Sequence, residues 1–182
     1  MKGLSLTQPF ATLVAIGQKR IETRSWKAPY RGYVAIHAAK GFPRDAILLC
    51  RDEPFRTVLK TVIKTPNDLP RGAIVAVAIL DDVMPIVGRP LPSGKPCVSL
   101  DEFDIARVWR PSMLGGERLH VGDISREHEA AFGDYTPGRF GWLLKDVRPL
   151  REPVPCRGAL GLWDVPPEVF TQIEAQLPVG VL

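Results

Sequence analysis

Three side chains that lie close together in the sequence could act on a ligand: Lys19, Glu22 and Arg24. They follow the end of a predicted helix, and Lys19 and Glu22 would pair if the turn between them is helical. A lysine held beside a carboxylate and partly removed from water could act as a base or as a charge clamp. The same spacing also fits a solvated triad of surface charges, so the spacing alone leaves both interpretations open.

Other polar side chains could bind a ligand rather than react with it. Gln8 lies at a predicted helix start, where its amide could contact a base edge, although it could equally complete the helix cap. Arg31 precedes Gly32, and Arg139 follows Gly138, so both arginines are candidates for neutralising a phosphate. A surface ion pair is the alternative role for Arg31.

Several aromatic residues could stack on a nucleobase, as single-stranded RNA recognition often requires. The candidates are Trp26, Tyr30 and Trp163, and Trp26 suits an exposed platform because basic residues flank it. Trp142 alternates with neighbours in a predicted strand and is therefore expected in the core. His37 also alternates with apolar residues, which favours a hydrogen-bonded internal histidine over a catalytic one.

Basic residues are concentrated in the first part of the chain. Residues 1–72 hold 13 Lys and Arg against five Asp and Glu, and residues 73–182 hold 11 against 15, which gives a net charge of +4. A clustered basic face attracts phosphate-bearing ligands, although it could also serve solubility alone. With 45% hydrophobic and 24% charged residues, the composition excludes a disordered acidic tail, a coiled coil and a collagen-like repeat.

The cysteine and histidine pattern gives no sign of a metal or a disulfide scaffold. Cys50, Cys97 and Cys156 are widely spaced without a CxxC pair, and the three histidines have no metal-ligand spacing with them. We therefore expect no metal and no cofactor. The sequence also lacks a secretory signal and a run of about 18 apolar residues that could span a membrane, so a cytoplasmic protein is expected.

The apolar pattern predicts short helices and strands that position these side chains. A helix capped by Thr7 and stopped at Gly17 should precede Lys19. Further helices are predicted within Pro43–Ile63, with a break at Pro54, and after Pro166. Strands are predicted at Lys2–Leu6, Tyr33–Ala39, Ala73–Leu80 and Arg139–Val147, and near Ala159–Val165.

These elements predict an α+β fold, a small mixed β-barrel with peripheral helices. The length of 182 residues fits a single domain spanning residues 1–182. Residues 84–125 are rich in proline, glycine and charge, and we expect them to form a loop-rich insertion around a helical piece near Leu100–Trp109. The sequence makes no prediction about the oligomeric state.

Segments at both ends of the chain resemble the ASCH domain, a PUA-like β-barrel family associated with RNA. The residues that carry the resemblance are Leu4–Ala11, Gly17–Trp26, Tyr30–Gly32, Ile36–Ala39, Glu129–Tyr135, Gly138–Trp142 and Gly158–Trp163. The resemblance implies a PUA-like barrel with a basic cleft lined by Gln8, Lys19, Glu22 and Arg24. It implies RNA or a modified nucleoside as the ligand, and it favours a ligand site over a surface triad for Lys19, Glu22 and Arg24.

Some small members of the superfamily are amidohydrolases that remove an acyl group from acetylated cytidine, with a lysine base, a threonine nucleophile and a distal glutamate acid. Lys19 matches the lysine, and Glu129 could be the distal glutamate. The threonine position is occupied by Glu22, and the adjacent Thr23 would face the opposite way in a strand. The threonine mechanism is therefore not supported at that position.

Two main functions remain open at this point, and an unrelated scaffold role is a third alternative. The first is recognition, with Glu22 accepting bonds from a base and Lys19, Arg24 and Arg31 holding phosphate. The second is a metal-independent hydrolase, an acetylated-cytidine amidohydrolase or a single-strand ribonuclease, in which Glu22 is the base and Lys19 and Arg24 stabilise an oxyanion. Binding is the first hypothesis, because nothing in the sequence requires turnover.

Overall fold

The structure is a computed structural model that describes residues 1–86, 89–90, 96–97, 126–178 and 180. The helical piece predicted near Leu100–Trp109, and with it nearly all of the predicted insertion, lies outside these residues. The strands are β1 (Lys2–Leu6), β2 (Ile21–Arg24), β3 (Gly32–Ala38), β4 (Ala73–Pro85), β5 (Arg89–Pro90), β6 (Pro96–Cys97), β7 (Phe140–Pro155) and β8 (Leu162–Asp164). The helices are α1 (Phe10–Ala15), α2 (Arg44–Leu49), α3 (Phe55–Leu59), α4 (Arg126–Ala131) and α5 (Pro167–Glu174), with a 3₁₀ helix at Pro66–Asp68.

Six of the strands form one mixed sheet, in which neighbours follow the order β2-β7-β4-β3-β1-β8. Strands β1 and β3 run parallel, and β8 runs antiparallel to β1. Strands β5 and β6 form a separate antiparallel pair. Parallel and antiparallel pairs in one sheet, together with short helices, confirm the predicted α+β class.

The chain contains two compact units, and strands β4 and β7 contribute residues to both. Unit 1 comprises Met1–Lys19, Gly32–Ile79 and Lys145–Leu182, and unit 2 comprises Arg20–Arg31 and Leu80–Leu144. The core of unit 1 joins residues of β3, β4 and β7 to the buried face of α5. Its buried members are Ala35, Ile74, Val77, Leu150, Val154, Val165, Val169 and Ile173. The core of unit 2 is a smaller cluster of Ile21, Ile86, Tyr135 and Leu143.

Helix α1 ends where the sequence predicts, but it begins differently. Gly17 adopts a φ of 75°, a left-handed conformation that favours glycine, and its N–H donates to the carbonyl of Val14 at 2.9 Å. The predicted cap at Thr7 is wrong, because the helix begins at Phe10 and Pro9 holds the cap position without a side-chain bond. The first turn instead receives a side-chain acceptor from Gln8, as described below.

The predicted helical region at Pro43–Ile63 is confirmed as two short helices, α2 and α3, with the break at Pro54. Phe55, Val58 and Leu59 are the buried residues of α3 and form its apolar stripe. Val62 is 49% exposed, because α3 ends before it. None of the helices in the described part of the chain is long and apolar enough to cross a membrane.

Candidate ligand site

Gln8 is fully buried in unit 1, and both ends of its amide are used within the protein. Its Nε2 donates to the carbonyl of Pro70 at 2.7 Å, and its Oε1 accepts the N–H of Thr12 at 3.1 Å. The oxygen thereby satisfies one of the N–H groups that a helix start leaves without a partner. The role of completing the helix start, which was the alternative to a base contact, is the one that this geometry supports.

Lys19 is the most deeply buried cation of the sequence motif. It is 1% exposed, and its Nζ lies 5.9 Å from the centroid of the Phe10 ring, within cation–π range. Its backbone N–H donates to the carbonyl of Leu13, which fixes the residue against the end of α1. Ionisable groups buried in this way occur often at functional sites, although structural networks also bury them.

Glu22 and Arg24 lie in strand β2 of unit 2 and not in a helical turn. Residues 21–24 are extended, so Glu22 does not lie in the helical turn that the spacing from Lys19 allowed. Residues two apart in a strand share a face, and the Arg24 Nε lies 2.9 Å from the Glu22 Oε1. Thr23 faces the other way, as predicted, and its hydroxyl accepts the N–H of Asp134 at 3.0 Å.

Glu129 lies on α4 in unit 2 and is 4% exposed. Its two oxygens accept hydrogen bonds from the N–H groups of Arg20 (2.9 Å) and Ile21 (3.1 Å) and from the hydroxyl of Tyr135 (3.1 Å). Burial, and after it the charge of Glu129, raises the pKa of Tyr135 well above its usual value, so its hydroxyl stays a donor. The carboxylate thus fixes the beginning of β2, a role that sequence reasoning did not identify.

The remaining predicted phosphate contacts in unit 2 lie beside acidic groups. Arg139 is 3.3 Å from a carboxylate oxygen of Asp134, and it also donates to the carbonyl oxygens of Asp134 and Thr23. Arg31 lies 3.4 Å from Asp82 and donates to two backbone carbonyls at 2.8 and 3.1 Å. A phosphate at either arginine would have to compete with these acceptors.

Trp26 is half-buried and packs against the buried Trp142 in unit 2. Its ring meets Trp142 edge to face, with 4.6 Å between centroids, and its carbonyl accepts the Trp142 indole N–H at 3.2 Å. Trp142 is completely buried, which confirms the prediction that it belongs to the core. Part of the Trp26 ring is therefore used in packing, and the stacking role stays a prediction.

A cavity of about 770 Å³ in unit 1 gathers cations that sequence reasoning did not group together. Lys40, Arg71 and Arg157 line it and are exposed, and no acidic residue is among its lining residues. Within the described part of the chain, none of the three lies within 4.0 Å of a carboxylate oxygen. We call this feature the cationic cavity, and its positive charge suits a phosphate-bearing ligand.

A hydrogen-bonded wall closes one side of the cationic cavity. Ser5 on β1 lies opposite His37 on the parallel strand β3, and the Ser5 Oγ is 3.2 Å from His37 Nδ1. His37 Nε2 lies 3.0 Å from the Cys156 carbonyl oxygen, and the Trp163 indole N–H donates to the Ser5 Oγ at 3.1 Å. Because a carbonyl can only accept, His37 carries its hydrogen on Nε2, and its Nδ1 accepts the Ser5 hydroxyl.

His37 is neutral at physiological pH in this arrangement. Burial lowers its pKa below the usual 6.5, and the bond to the Cys156 carbonyl opposes that change only in part. The residue is 3% exposed and both ring nitrogens are hydrogen-bonded, so the prediction that His37 lies inside the fold is confirmed. Trp163, considered above as a stacking platform, instead holds the Ser5 hydroxyl and meets the His37 ring edge to face.

Gly158 allows the chain to pass directly over this wall. A Cβ at position 158 would lie 2.4 Å from two atoms of the His37 ring and 2.6 Å from the Ser5 Oγ, distances that real contacts do not show. Any other residue would have to displace the histidine or the serine. The wall therefore brings together three segments that the sequence resemblance contains separately, around Ser5, His37 and Gly158–Trp163.

Comparisons with known proteins agree with the sequence resemblance. The model of the ASCH domain family matches residues 4–98. Human activating signal cointegrator 1 is 35% identical over 83 residues, and the mouse protein is 33% identical over 81. Each match covers 44% of this chain but only 14% of the longer relative.

Among solved structures, the crystal structure of ASCH from Zymomonas mobilis is 15% identical, with a TM-score of 0.46 and coverage of 96% of this chain and 93% of that one. The family match spans just over half of the 182 residues. On that match, the chain belongs to the ASCH domain family.

Proposed function

We propose that this protein binds single-stranded RNA and that the cationic cavity holds the phosphate backbone. The observation that carries the proposal is the set of three exposed cations, Lys40, Arg71 and Arg157, which line a cavity without an acidic lining residue. Phosphate contacts provide most of the sequence-independent affinity for nucleic acids. The excess of basic residues in residues 1–72 supports the same partner.

The arginines of unit 2 support phosphate binding less well than the cavity does. Arg24, Arg31 and Arg139 each lie within 3.4 Å of a carboxylate oxygen. A phosphate would have to displace the carboxylate or share the arginine with it, at a cost in free energy. The ligand contacts predicted from the sequence stay predictions at Gln8, Arg24, Trp26, Arg31 and Arg139. We regard the cavity as a better candidate for phosphate binding than these residues.

The test is RNA binding by a variant that lacks the cavity cations. Fluorescence anisotropy with a labelled 12-nucleotide single strand would compare the wild type with Lys40→Gln/Arg71→Gln/Arg157→Gln. We expect a loss of roughly tenfold or more at 0.1 M salt, and a salt slope reduced by about 2 because about 0.7 counterions are released per phosphate neutralised on a single strand. The matched control is Arg44→Gln/Arg51→Gln/Lys60→Gln, which removes the same charge from exposed positions outside the cavity.

The two triple variants separate site binding from general charge. If both lose affinity equally, net charge alone drives binding and the cavity is not the site. If neither binds less tightly than the wild type, the cavity does not hold RNA. Only a selective loss in the cavity variant supports the proposal.

A hydrolase is a second proposal, and its candidate catalytic residues are the ones that the sequence resemblance implies: Lys19 in unit 1, and Glu22 and Glu129 in unit 2. The burial of Lys19 and Glu22, which are 1% and 8% exposed, favours it, because burying ionisable groups is costly and often serves chemistry. The role of Glu129 as the acid is less supported, since its oxygens already accept three hydrogen bonds. Mass spectrometry of acylated cytidine nucleosides and single-stranded RNA incubated with wild type or Lys19→Met tests it. Product lost in the variant supports turnover there, and no product from either protein excludes these substrates.

We also propose that the protein works in the cytoplasm. Cys50 and Cys156 are free thiols in the structure, as a reducing compartment allows. Fluorescence microscopy of the tagged full chain in its native host is the direct measurement.

A further inference from the structure

We propose that Ser5 and His37 form a nucleophile–base pair that hydrolyses carboxylic esters of phosphate-bearing compounds in the cationic cavity. The inference rests on the proposed function in one respect, because it uses the same cavity cations to hold the phosphate of the substrate. The pair itself stands on the geometry of unit 1. It uses residues other than the buried ionisable groups Lys19, Glu22 and Glu129.

The geometry has the three parts that an activated serine requires. The Ser5 hydroxyl is within hydrogen-bond reach of His37 Nδ1 at 3.2 Å, and a third group, the Cys156 carbonyl, orients the ring through Nε2 at 3.0 Å. The parallel register of β1 and β3 fixes the two side chains as direct neighbours. Both residues line the cavity, so a ligand inside it would lie against Ser5 and His37.

The protonation state suits a base. With its hydrogen on Nε2, His37 presents the lone pair of Nδ1 to the Ser5 hydroxyl, and burial holds its pKa below the usual value. The Trp163 indole N–H, 3.1 Å from the Ser5 Oγ, would stabilise the negative charge that develops as the hydroxyl loses its proton.

The substrate class follows from where the charges lie. Lys40, Arg71 and Arg157 are exposed, whereas Ser5 is half-buried and His37 is buried. A phosphate held by the cations would therefore lie toward the solvent, and an uncharged part of the same molecule would reach the serine. An O-acylated nucleotide has both features.

The reaction consists of two balanced steps. The Ser5 Oγ attacks the carbonyl carbon, its proton moves to His37 Nδ1, and the carbon–oxygen bond to the leaving alcohol breaks as that proton passes to the alcohol. Water then attacks the acyl-serine with His37 as the base, and the serine oxygen leaves with the proton. The net change is the conversion of one ester and one water into an acid and an alcohol.

Labelling with a fluorophosphonate tests the pair without any assumption about the substrate. Attack by Ser5 forms an oxygen–phosphorus bond and expels fluoride, and peptide mass spectrometry locates the adduct. We expect labelling at Ser5 in the wild type, none at position 5 in Ser5→Ala, and a rate reduced by roughly 100-fold in His37→Gln. Ser25→Ala, which removes an exposed serine of unit 2, is the matched control and should label like the wild type.

The pH dependence keeps the proposal testable even if His37→Gln does not fold. The groups that face His37 are Ser5 on β1, Trp163 on β8, the Cys156 carbonyl after β7, and Gly158 in the following loop. The charged groups of the same cavity are Lys40, Arg71 and Arg157, all cations that disfavour the imidazolium. The wild-type labelling rate should rise through one ionisation below pH 6.5 and then level off. A rate that does not follow the His37 ring titration measured by NMR, or absence of a Ser5 adduct, overturns the proposal.

Acetylated adenosine and acetylated AMP as substrates separate this inference from the RNA-binding proposal. We expect the phosphorylated ester to have the lower KM, and Lys40→Gln/Arg71→Gln/Arg157→Gln to raise that KM alone. If Ser5 labels but RNA binding is unchanged in the cavity variant, the RNA proposal fails and the pair stands. If RNA binding is lost in that variant but Ser5 never labels, the pair fails and the binding site stands.

Discussion

The β2 region of unit 2 and the cationic cavity of unit 1 contain similar cations in opposite electrostatic settings. In the β2 region, Arg24, Arg31 and Arg139 each lie beside a carboxylate. In the cavity, the lining residues include Lys40, Arg71 and Arg157 but no acidic residue. An arginine in a sequence motif therefore indicates a phosphate site only when the surrounding acids are also known. The comparison favours the cavity of unit 1 over the β2 region for the phosphate binding that we propose.

The largest effect that would test this comparison is expected at Glu129. Glu129→Ala would leave the N–H groups of Arg20 and Ile21 and the Tyr135 hydroxyl buried without their acceptor, so the free energy of unfolding should fall by roughly 3 kcal/mol. Urea denaturation measures it, and Glu152→Ala, at an exposed position, is the control. Unchanged stability together with loss of turnover would instead make Glu129 catalytic and reverse the assignment.

A smaller loss of stability is expected from a substitution at Gly158, which lines the cationic cavity of unit 1. The Cβ of Gly158→Ala would overlap the His37 ring and the Ser5 hydroxyl, so one of these side chains would have to move. We expect the free energy of unfolding to fall by about 1–3 kcal/mol. Gly41→Ala is the matched control, because nothing lies within 4 Å of its Cβ and its stability should change by less than about 0.5 kcal/mol. Equal thermal midpoints for the two variants would mean that the wall is not closely packed.

The local parts of this fold can be predicted from the sequence, whereas the sites that depend on distant contacts cannot. Alternating apolar residues predict β1 and β3, and Gly17 predicts the end of α1. No local pattern, however, pairs Ser5 with His37, because parallel strands are joined by a long connection and their register is set by packing. In the sequence, Gly158 looks like an ordinary loop glycine. Only the folded structure shows that a Cβ at this position would overlap His37 and Ser5.

For the same reason, the sequence identifies the residue types of the candidate site but not the partners that these residues meet in the fold. Gln8 was placed correctly at the start of α1, but its tertiary partner, the Pro70 carbonyl, lies 62 residues away in the sequence. The sequence identifies Glu129 as a chemically capable residue, yet two of its three donors, the N–H groups of Arg20 and Ile21, lie more than 100 residues away. Residue types identify which groups can react or bind, and the fold decides which of them are already occupied.

The pH dependence of stability would sharpen the comparison at His37. Its pKa is lowered in the folded protein, so the unfolded chain binds more protons near pH 6. Its contribution to stability is complete above pH 6.5 and is lost as the pH falls through the lower, folded value. The carboxyl groups with lowered pKa values, such as Asp134 and Asp164, lose their contribution to stability only at more acidic pH, so they do not add to the slope near pH 6. Denaturation between pH 7.5 and 5 should therefore show a slope that is flatter in His37→Gln, and an identical slope contradicts the assignment.

The smallest expected effect tests directly whether a neighbouring acid suppresses phosphate binding in unit 2. Asp82→Asn removes the carboxylate charge 3.4 Å from Arg31 while keeping an oxygen that can accept the Val83 N–H. Because exposed ion pairs contribute little, we expect unchanged stability and a gain in RNA affinity of about two- to threefold, seen in fluorescence anisotropy at low salt. Asp45→Asn, an exposed acid on α2, changes the net charge equally and serves as the control. A gain specific to Asp82→Asn means that the arginine was limited by its acid, whereas equal gains in both variants mean that only net charge matters there. A gain larger than the loss caused by removing the cavity cations would move the main RNA contact to unit 2.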